Sequence, residues 1–477
     1  MERPVLVWIR NDLRFHDNAA LYEAALRGHP VLLVYIFDPL DKGPSALGEA
    51  SRVWLEHSLA RFGEEAKRRG FGWVIRSGSP LEVLKSLHRE TLASHLMWNR
   101  RYEPDGVEMD TEVRDVFQEI GVEVLTCRGN LLVEPCQLLT KKGSPFLVFT
   151  PYWQAFQKAC PDVAEAPEPY PAKPFAADIY SLSPEELPLT SKLLHWPKKI
   201  LDIWHPGEES ALHTLEQFCL HSLRWYDTKR DVPADDVTSH LSPYLHFGEI
   251  SPRRIWNMIL AHERYIRHPA CSSPGEAFLR QLGWREFAHA VLYHFPTIAH
   301  TPFREEFQTV KWQKNGAAVK RWQEGKTGIP IVDAGMRQLW ETGWIHNRVR
   351  LIVASFLVKH LLHSWEEGMA WFWDTLVDAD LANNSFNWQW VAGCGVDGAP
   401  FFRIFNPVIQ SKRFDPDGTY IRKHVPELKA LPPEWIHAPW EAPGDVLAEA
   451  GISLGREYPK PIIDLEEGRK RALAAFR

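Results

Sequence analysis

Six cysteines in 477 residues form no Cys-x-x-Cys pair, and Cys127, Cys136, Cys160, Cys219, Cys271 and Cys394 are scattered through the chain. Neither a zinc site nor a disulfide framework is indicated, so we read them as reduced packing residues and expect no metal. A Gly-x-Gly-x-x-Gly turn is also missing. The first apolar strand runs instead into Arg10-Asn-Asp-Leu-Arg14, without the backbone cradle that holds a dinucleotide pyrophosphate, so any ligand of that domain is bound differently. Long apolar runs are absent, the longest lying near Leu351 to Val358, too short to span a bilayer. The N-terminus has no basic region followed by an apolar stretch and a small-residue cleavage site. These absences lead us to expect a cytoplasmic protein with no membrane partner. Positive charge is not in excess: 55 Lys and Arg face 61 Asp and Glu, a net charge of −6. That argues against indiscriminate adhesion to polyanions while leaving room for a local basic patch. No short-period repeat or low-complexity tract is present.

What the chain has in plenty is tryptophan, 21 in all, concentrated beyond residue 195. Its length exceeds what one hydrophobic core usually supports, so two domains are expected. Val5 to Ile9, Val31 to Phe37, Trp73 to Ile75, Leu96 to Trp98 and Val122 to Thr126 read as buried strands. They alternate with helical stretches near 47–69, 80–93 and 107–120, which predicts a doubly wound α/β domain with a parallel sheet over 1–130. From 131 to 205 prolines accumulate (Pro161, Pro167, Pro169, Pro171, Pro174, Pro184, Pro188, Pro197), which predicts an irregular connector packed over the surface. From 206 to 477 the apolar spacing turns helical, with helices expected at 211–225, 255–266, 277–294, 317–323, 333–341, 348–363 and 370–376. The predicted fold class is an α/β domain joined to an all-α domain.

The stretch Asp378 to Trp390, Asp-Ala-Asp-Leu-Ala-Asn-Asn-Ser-Phe-Asn-Trp-Gln-Trp, mixes acids, amides and indoles as a pocket for a large ring system would. Side chains two apart point to different sides of a helix or strand, so Trp388 and Trp390 are not expected to face one ligand. The bland alternative is a Trp-rich core beside a polar loop. Thr238-Ser-His-Leu-Ser-Pro243 has the composition of a phosphate clasp or, equally, of an ordinary helix cap. Trp344, Asn347 and Leu351 fall on one helix face and Arg348 points elsewhere, while Arg350, if buried, needs a partner such as Asp378. Arg230, Arg348, Arg403, Lys412 and Arg413 are either a positive rim or solvated charges. With Trp284 and Trp390 as stacking surfaces they would suit a site that takes bases out of a duplex.

Trp284-Arg-Glu-Phe287, Lys326-Thr-Gly-Ile-Pro-Ile-Val-Asp-Ala-Gly-Met-Arg337, Gly343-Trp-Ile-His-Asn-Arg348, Asp378-Ala-Asp-Leu381 and Arg403-Ile-Phe-Asn-Pro407 together resemble the DNA photolyase/cryptochrome family. The resemblance covers essentially the whole chain. It implies an antenna domain, a connector and a helical domain holding FAD, with fully reduced FADH− as the working form. By that resemblance Thr238, Ser239, Leu241 and Ser242 hold the FAD phosphates, Tyr226 and Phe278 flank the cofactor, and Asp378 and Asp380 meet its ribityl–ribose region. Arg350 pairs with Asp378, Arg285 and Trp344 complete the cofactor set, and Asn384 faces the flavin N5. Trp388, Trp365 and Trp312 match the family's tryptophan relay. Damaged DNA with its lesion flipped out would meet Arg230, Trp284, Asn347, Arg348, Leu351, Trp390, Arg403 and Gln410, with a monomer expected. Asn347 stands where (6-4) enzymes carry a catalytic His, which favours cyclobutane dimers, whereas Gln281 and Leu351 replace the Glu and Met usual in dimer photolyases. The expected activity is light-driven dimer repair, with a cryptochrome photoreceptor or a (6-4) photolyase as alternatives. A second, antenna chromophore is expected to be 5,10-methenyltetrahydrofolate or 8-hydroxy-5-deazaflavin, with a flavin also open, because Asp105-Gly106 stand where some relatives carry a folate-clamping Asn-Glu pair.

Overall fold

The structure, a computed structural model, describes residues 3–41, 43–160, 164–189, 196–266, 273–400 and 402–475; Pro161 and Cys271, named above, lie outside them. Val5–Ile9 (β1) and Val31–Phe37 (β2) are apolar throughout and wholly buried, the pattern of strands covered on both faces. With Gly72–Ser77 (β3), His95–Asn99 (β4) and Glu123–Cys127 (β5) they form a parallel sheet of order β3-β2-β1-β4-β5, with Val5 in register with both Val31 and His95. Ala19–Leu26 (α1), Glu49–Arg68 (α2), Pro80–Thr91 (α3) and Pro104–Glu119 (α4) join the strands. The sequence reading did not anticipate α1, a short helix that starts where the Asn18 side chain accepts from Leu21 N at 3.2 Å. Strand order reverses between β1 and β4, which leaves a crevice at their carboxyl ends.

The connector is less irregular than its prolines suggested. Phe149–Ala159 (α5) interrupts it, with Phe149, Tyr152, Trp153 and Phe156 buried at the i, i+3, i+4, i+7 spacing of one helix face. Phe149 stacks on Trp284 with ring centroids 3.6 Å apart and planes 9° from parallel. Cys136, also in this region, is exposed and so is not a packing residue; Cys127, Cys160, Cys219 and Cys394 are buried and free.

Beyond the connector the structure is helical, with Pro252–Ile266 (α6), Pro274–His294 (α7), Pro330–Thr342 (α8), Asn347–Ser355 (α9), Trp365–Thr375 (α10), Leu381–Ala392 (α11) and Pro407–Phe414 (α12). Two expected helices are broken. Residues 211–225 fall on Glu208–Gln217, a π turn at Phe218–Ser222 and a 3-10 turn at Leu223–Trp225. Residues 348–363 are α9 continued by a π turn at Phe356–His360, and such insertions mark strain or function more often than chance.

Among the described residues apolar packing forms three clusters: one, with Leu6, Trp8, Leu32 and Trp98, belongs to the sheet domain, and the other two meet at α11. Leu381, Ala382 and Phe386 belong to the cluster that includes α5 and α7, and Trp388, Val391 and Ala392 to the cluster around α8, α9 and α10. Among the described residues no helix is long and apolar enough to cross a membrane.

Candidate functional site

The Asp378 to Trp390 stretch folds as a cap followed by a helix. Asp380 is the N-cap of α11: its Oδ1 accepts from Asn383 N at 2.8 Å and from Asn383 Nδ2 at 2.7 Å, satisfying a helix-end N–H that has no partner inside the helix. Two residues earlier, Asp378 Oδ2 takes Arg350 Nη2 at 2.7 Å, while Arg350 Nε donates to the Ile345 carbonyl at 2.7 Å. Asp378 Oδ1 is buried and has no hydrogen-bond partner among the described residues.

These groups open onto a cavity of about 460 Å³ with four walls, a size typical of a small-molecule or cofactor site. The segment before Leu245 contributes Tyr226, Arg230, Thr238, Ser239, Leu241 and Ser242. Helix α7 contributes Phe278, Gln281, Trp284 and Arg285. The turn into α9 and the helix itself contribute Trp344, Asn347, Arg350 and Leu351. The last wall is Asp378, Asp380, Asn384, Trp388 and Trp390. Trp388 and Trp390 therefore line one cavity, contrary to the expectation from their spacing, because the cavity wraps round α11 and is lined by it from Leu381's cap to Val391.

Within the walls the polar groups are fixed. Asn384 Nδ2 donates to the Met369 carbonyl at 3.0 Å, which leaves its carbonyl oxygen as the group able to meet a ligand. Gln281 Nε2 turns back to the Ala277 carbonyl of its own helix at 3.3 Å. Tyr226 and Phe278 meet edge to face with centroids 5.2 Å apart. His240 adopts a left-handed φ of 52° inside the Thr238–Ser242 turn, where Leu241 N donates to Ser239 Oγ at 3.4 Å. Arg285 Nη1 donates to the Asn130 carbonyl at 2.8 Å, tying this wall to the chain just after β5. Burial opposes the charge of Asp380, but the adjacent His289, with Arg285 and His246, holds its carboxyl well below the usual carboxylate range. Burial, helped by the charges of Arg350 and Arg348 and opposed by Asp231, pushes His346, the N-cap of α9, down to about 4.

Trp365, Trp312, Arg348, Arg403 and Gln410 do not line the cavity. Trp365 is buried in the same apolar cluster as Trp388, and Trp312 packs half-buried at its edge. Arg348 is bridged to Asp231 at 2.7 Å and lies over the Phe414 ring at 4.4 Å, so part of its charge is neutralised. Arg403 is exposed and Gln410 is half-buried on α12. Trp284 keeps one ring face for the cavity at most, since Phe149 covers the other. Sequence reasoning missed His246, a wall residue whose two ring nitrogens are buried without a hydrogen-bond partner among the described residues. Its place four residues after Ser242, one turn along the short helix Ser242–His246, was the available signal.

The cavity fits FAD on its own chemistry. Rings and aliphatic chains form most of its wall, a cluster of hydroxyls lies at Thr238, Ser239 and Ser242, and the bare Asp378 Oδ1 needs a donor of the kind a sugar hydroxyl offers. Residues 278–477 match the family model "FAD binding domain of DNA photolyase", and residues 5–172 match "DNA photolyase". A deoxyribodipyrimidine photo-lyase of Agrobacterium fabrum is 45% identical over 478 residues, covering 99% of this chain and 97% of that protein. Cryptochrome-2 of Arabidopsis thaliana is 37% identical over 478 residues, 98% of this chain and 78% of that protein. The crystal structure of a bacterial class III photolyase from Agrobacterium tumefaciens superposes with a TM-score of 0.94 at 44% identity, covering 100% of this chain and 97% of that one. Similarity of that extent, in sequence and in architecture, makes this chain a member of the DNA photolyase/cryptochrome family.

Proposed function

We propose that this protein is a deoxyribodipyrimidine photo-lyase, a flavoprotein of DNA repair that uses blue light to split cyclobutane pyrimidine dimers. The observation that carries the reading is one chamber lined both by the groups suited to hold a flavin and by Gln281, Asn347, Leu351 and Trp390, which suit a lesion. When bound, the reduced flavin supplies the excited-state electron that opens the dimer and takes it back afterwards. The chain does the rest. Asp378, held by Arg350, and Asp380 accept sugar hydroxyls, and the Thr238–Ser242 turn meets the phosphates. Asn384, anchored to Met369, presents an acceptor to a reduced ring nitrogen without the fixed charge of a carboxylate. Asn347, exposed at the first turn of α9, and the open face of Trp284 receive a flipped-out lesion. Arg230, Arg348, Arg403 and Gln410 meet the DNA backbone in this reading, and Trp388, Trp365 and Trp312 form the relay that recharges the flavin.

The protein acts as a monomer in this reading, with its division at residues 130 and 205 separating antenna domain, connector and catalytic domain. An antenna chromophore, a folate, deazaflavin or flavin, belongs to this reading, and mass spectrometry of the extracted pigments identifies it. Illuminating the reduced protein with cyclobutane and (6-4) lesions in separate oligonucleotides tests the function. Restoration of the cyclobutane lesion alone is expected. Restoration of the (6-4) lesion alone reassigns the substrate, and restoration of neither favours the cryptochrome reading that the Arabidopsis relative represents.

A further inference from the structure

His289 on α7 lies outside the walls of the large cavity, and the resemblance gives it no role. Its Nδ1 is 2.9 Å from the Arg285 carbonyl oxygen and its Nε2 is 3.2 Å from Asp380 Oδ2. Both partners only accept: a carbonyl has no proton, nor has an ionised carboxylate. A neutral imidazole carries one ring proton, so in either tautomer one contact would set lone pair against lone pair. Only the doubly protonated ring satisfies both. The third member of the group is Glu103, the N-cap of α4, whose carboxylate lies within 4.8 Å of the donor atoms of His289 and Asp380. Glu103 is itself held by Arg101 Nε and Tyr102 N, each at 3.2 Å.

A divalent cation could replace the proton between such groups. Against it, the small cavity that these side chains border is also lined by Arg10, Arg100, Arg101 and Arg285, and the acids already serve Arg101 and Asn383. We propose that His289 is a standing imidazolium and a positioning residue, which fixes Asp380, and with it the cap of the helix carrying Asn384, to Glu103 of the sheet domain. The functional half of this inference rests on the large cavity being the flavin site; the charge does not.

Burial disfavours the charged ring, yet Asp380, with Glu103 behind it, overcomes both that and the opposing Arg285, so His289 titrates above the ordinary histidine range. Arg10, Asp12, Arg100, Arg101, Tyr102 and His246 are the other charged and titratable groups lining the shared small cavity. A raised value in the folded state gives stabilisation that is complete below the unfolded histidine pKa and is lost as pH rises through the folded one.

The test uses the full-length protein labelled with ¹⁵N-histidine, the His289→Arg protein identifying the resonance by its disappearance. A doubly protonated ring at pH 7.5, unchanged by EDTA, is expected; a neutral ring, or a resonance that shifts on adding EDTA or Zn²⁺, overturns the proposal. FAD release from the same proteins reads the positioning role. His289→Arg keeps charge and donors and is expected to retain FAD within about twofold of the parent, whereas His289→Gln, which cannot donate to both partners as a cation, releases it roughly tenfold faster. Equal retention by His289→Gln removes the positioning role. A parent protein that binds no FAD defeats the flavin reading instead, and leaves the NMR result standing.

Discussion

An amide at position 384 does something no carboxylate could do there. Asn384 must donate to the Met369 carbonyl and accept on its other side, and an ionised aspartate would turn an acceptor toward that carbonyl. Asn384→Asp is therefore expected to move the resting redox state of the flavin and to impair repair, read from the absorption spectrum and from lesion restoration in one preparation. Unchanged spectra with unchanged repair would remove Asn384 from the flavin's neighbourhood. Asp378 offers a second residue-level test. Arg350→Leu strands its buried carboxylate, a change that costs about 3–5 kcal/mol when one partner of a buried pair is removed. The expected outcome is a lower urea midpoint and loss of FAD, whereas a midpoint within the error of the parent would show the pair to be dispensable. The Arg350 and Asp378 partnership was legible because a buried arginine needs an acid and the motif supplied one nearby. His289 was not legible, since a single histidine on an apolar helix has no pattern of its own and its partners come from two distant segments.

Helix α11 shows why the central element resisted assignment while the strands did not. A strand of the parallel sheet is apolar on both faces, which a run such as Val31–Phe37 displays openly. Helix α11 instead sends Phe386 into one apolar cluster and Trp388 into the other, so no single face stands out in the sequence, and a helix could not be distinguished from a loop with aromatic flanks. Its position depends on a glycine: a Cβ on Gly368 of α10 would overlap the Trp388 ring. Gly368→Ala is expected to cost about 1–3 kcal/mol through overpacking and to tilt the indole, with a lower melting temperature and slower photoreduction of oxidised FAD. A melting temperature equal to the parent's would mean that α10 and α11 can slide apart at no cost. The relay is tested on the same elements. Trp312, at the edge of the cluster, can become Phe with little loss of packing, and Trp312→Phe is expected to slow photoreduction greatly while sparing repair by pre-reduced protein. Normal photoreduction in that variant ends the assignment of Trp312.

At the scale of the whole molecule the joint between sheet and helices centres on a buried acid. Glu249 accepts from Trp54 Nε1 at 3.0 Å and Ser58 Oγ at 2.5 Å, both on α2, and from Gly207 N at 2.7 Å. Burial pushes its carboxyl up to about 8. The folded protein then holds a proton that the unfolded chain releases between about pH 4.5 and 8, so stability falls as pH rises across that window, by up to about 1.4 kcal/mol per pH unit. Glu249→Gln is expected to flatten that dependence, measured as urea midpoints at pH 5 and pH 8.5, and an unchanged slope would place the titration elsewhere. Such joints are unreadable from sequence because they follow no local period, whereas the order of elements on either side of them does. The cavity has a consequence of this kind in time as well as in space. Its walls run from Tyr226 to Val391, and the chain leaves the ribosome from its N-terminus, so three walls exist before the fourth is made. The sheet domain can fold early, but the cofactor can be captured only after the segment through Val391 has emerged. Until then Phe278, Trp284 and Trp344 lack their last wall, and a cell short of flavin would accumulate a chain open at its centre, the form on which chaperones and proteases act.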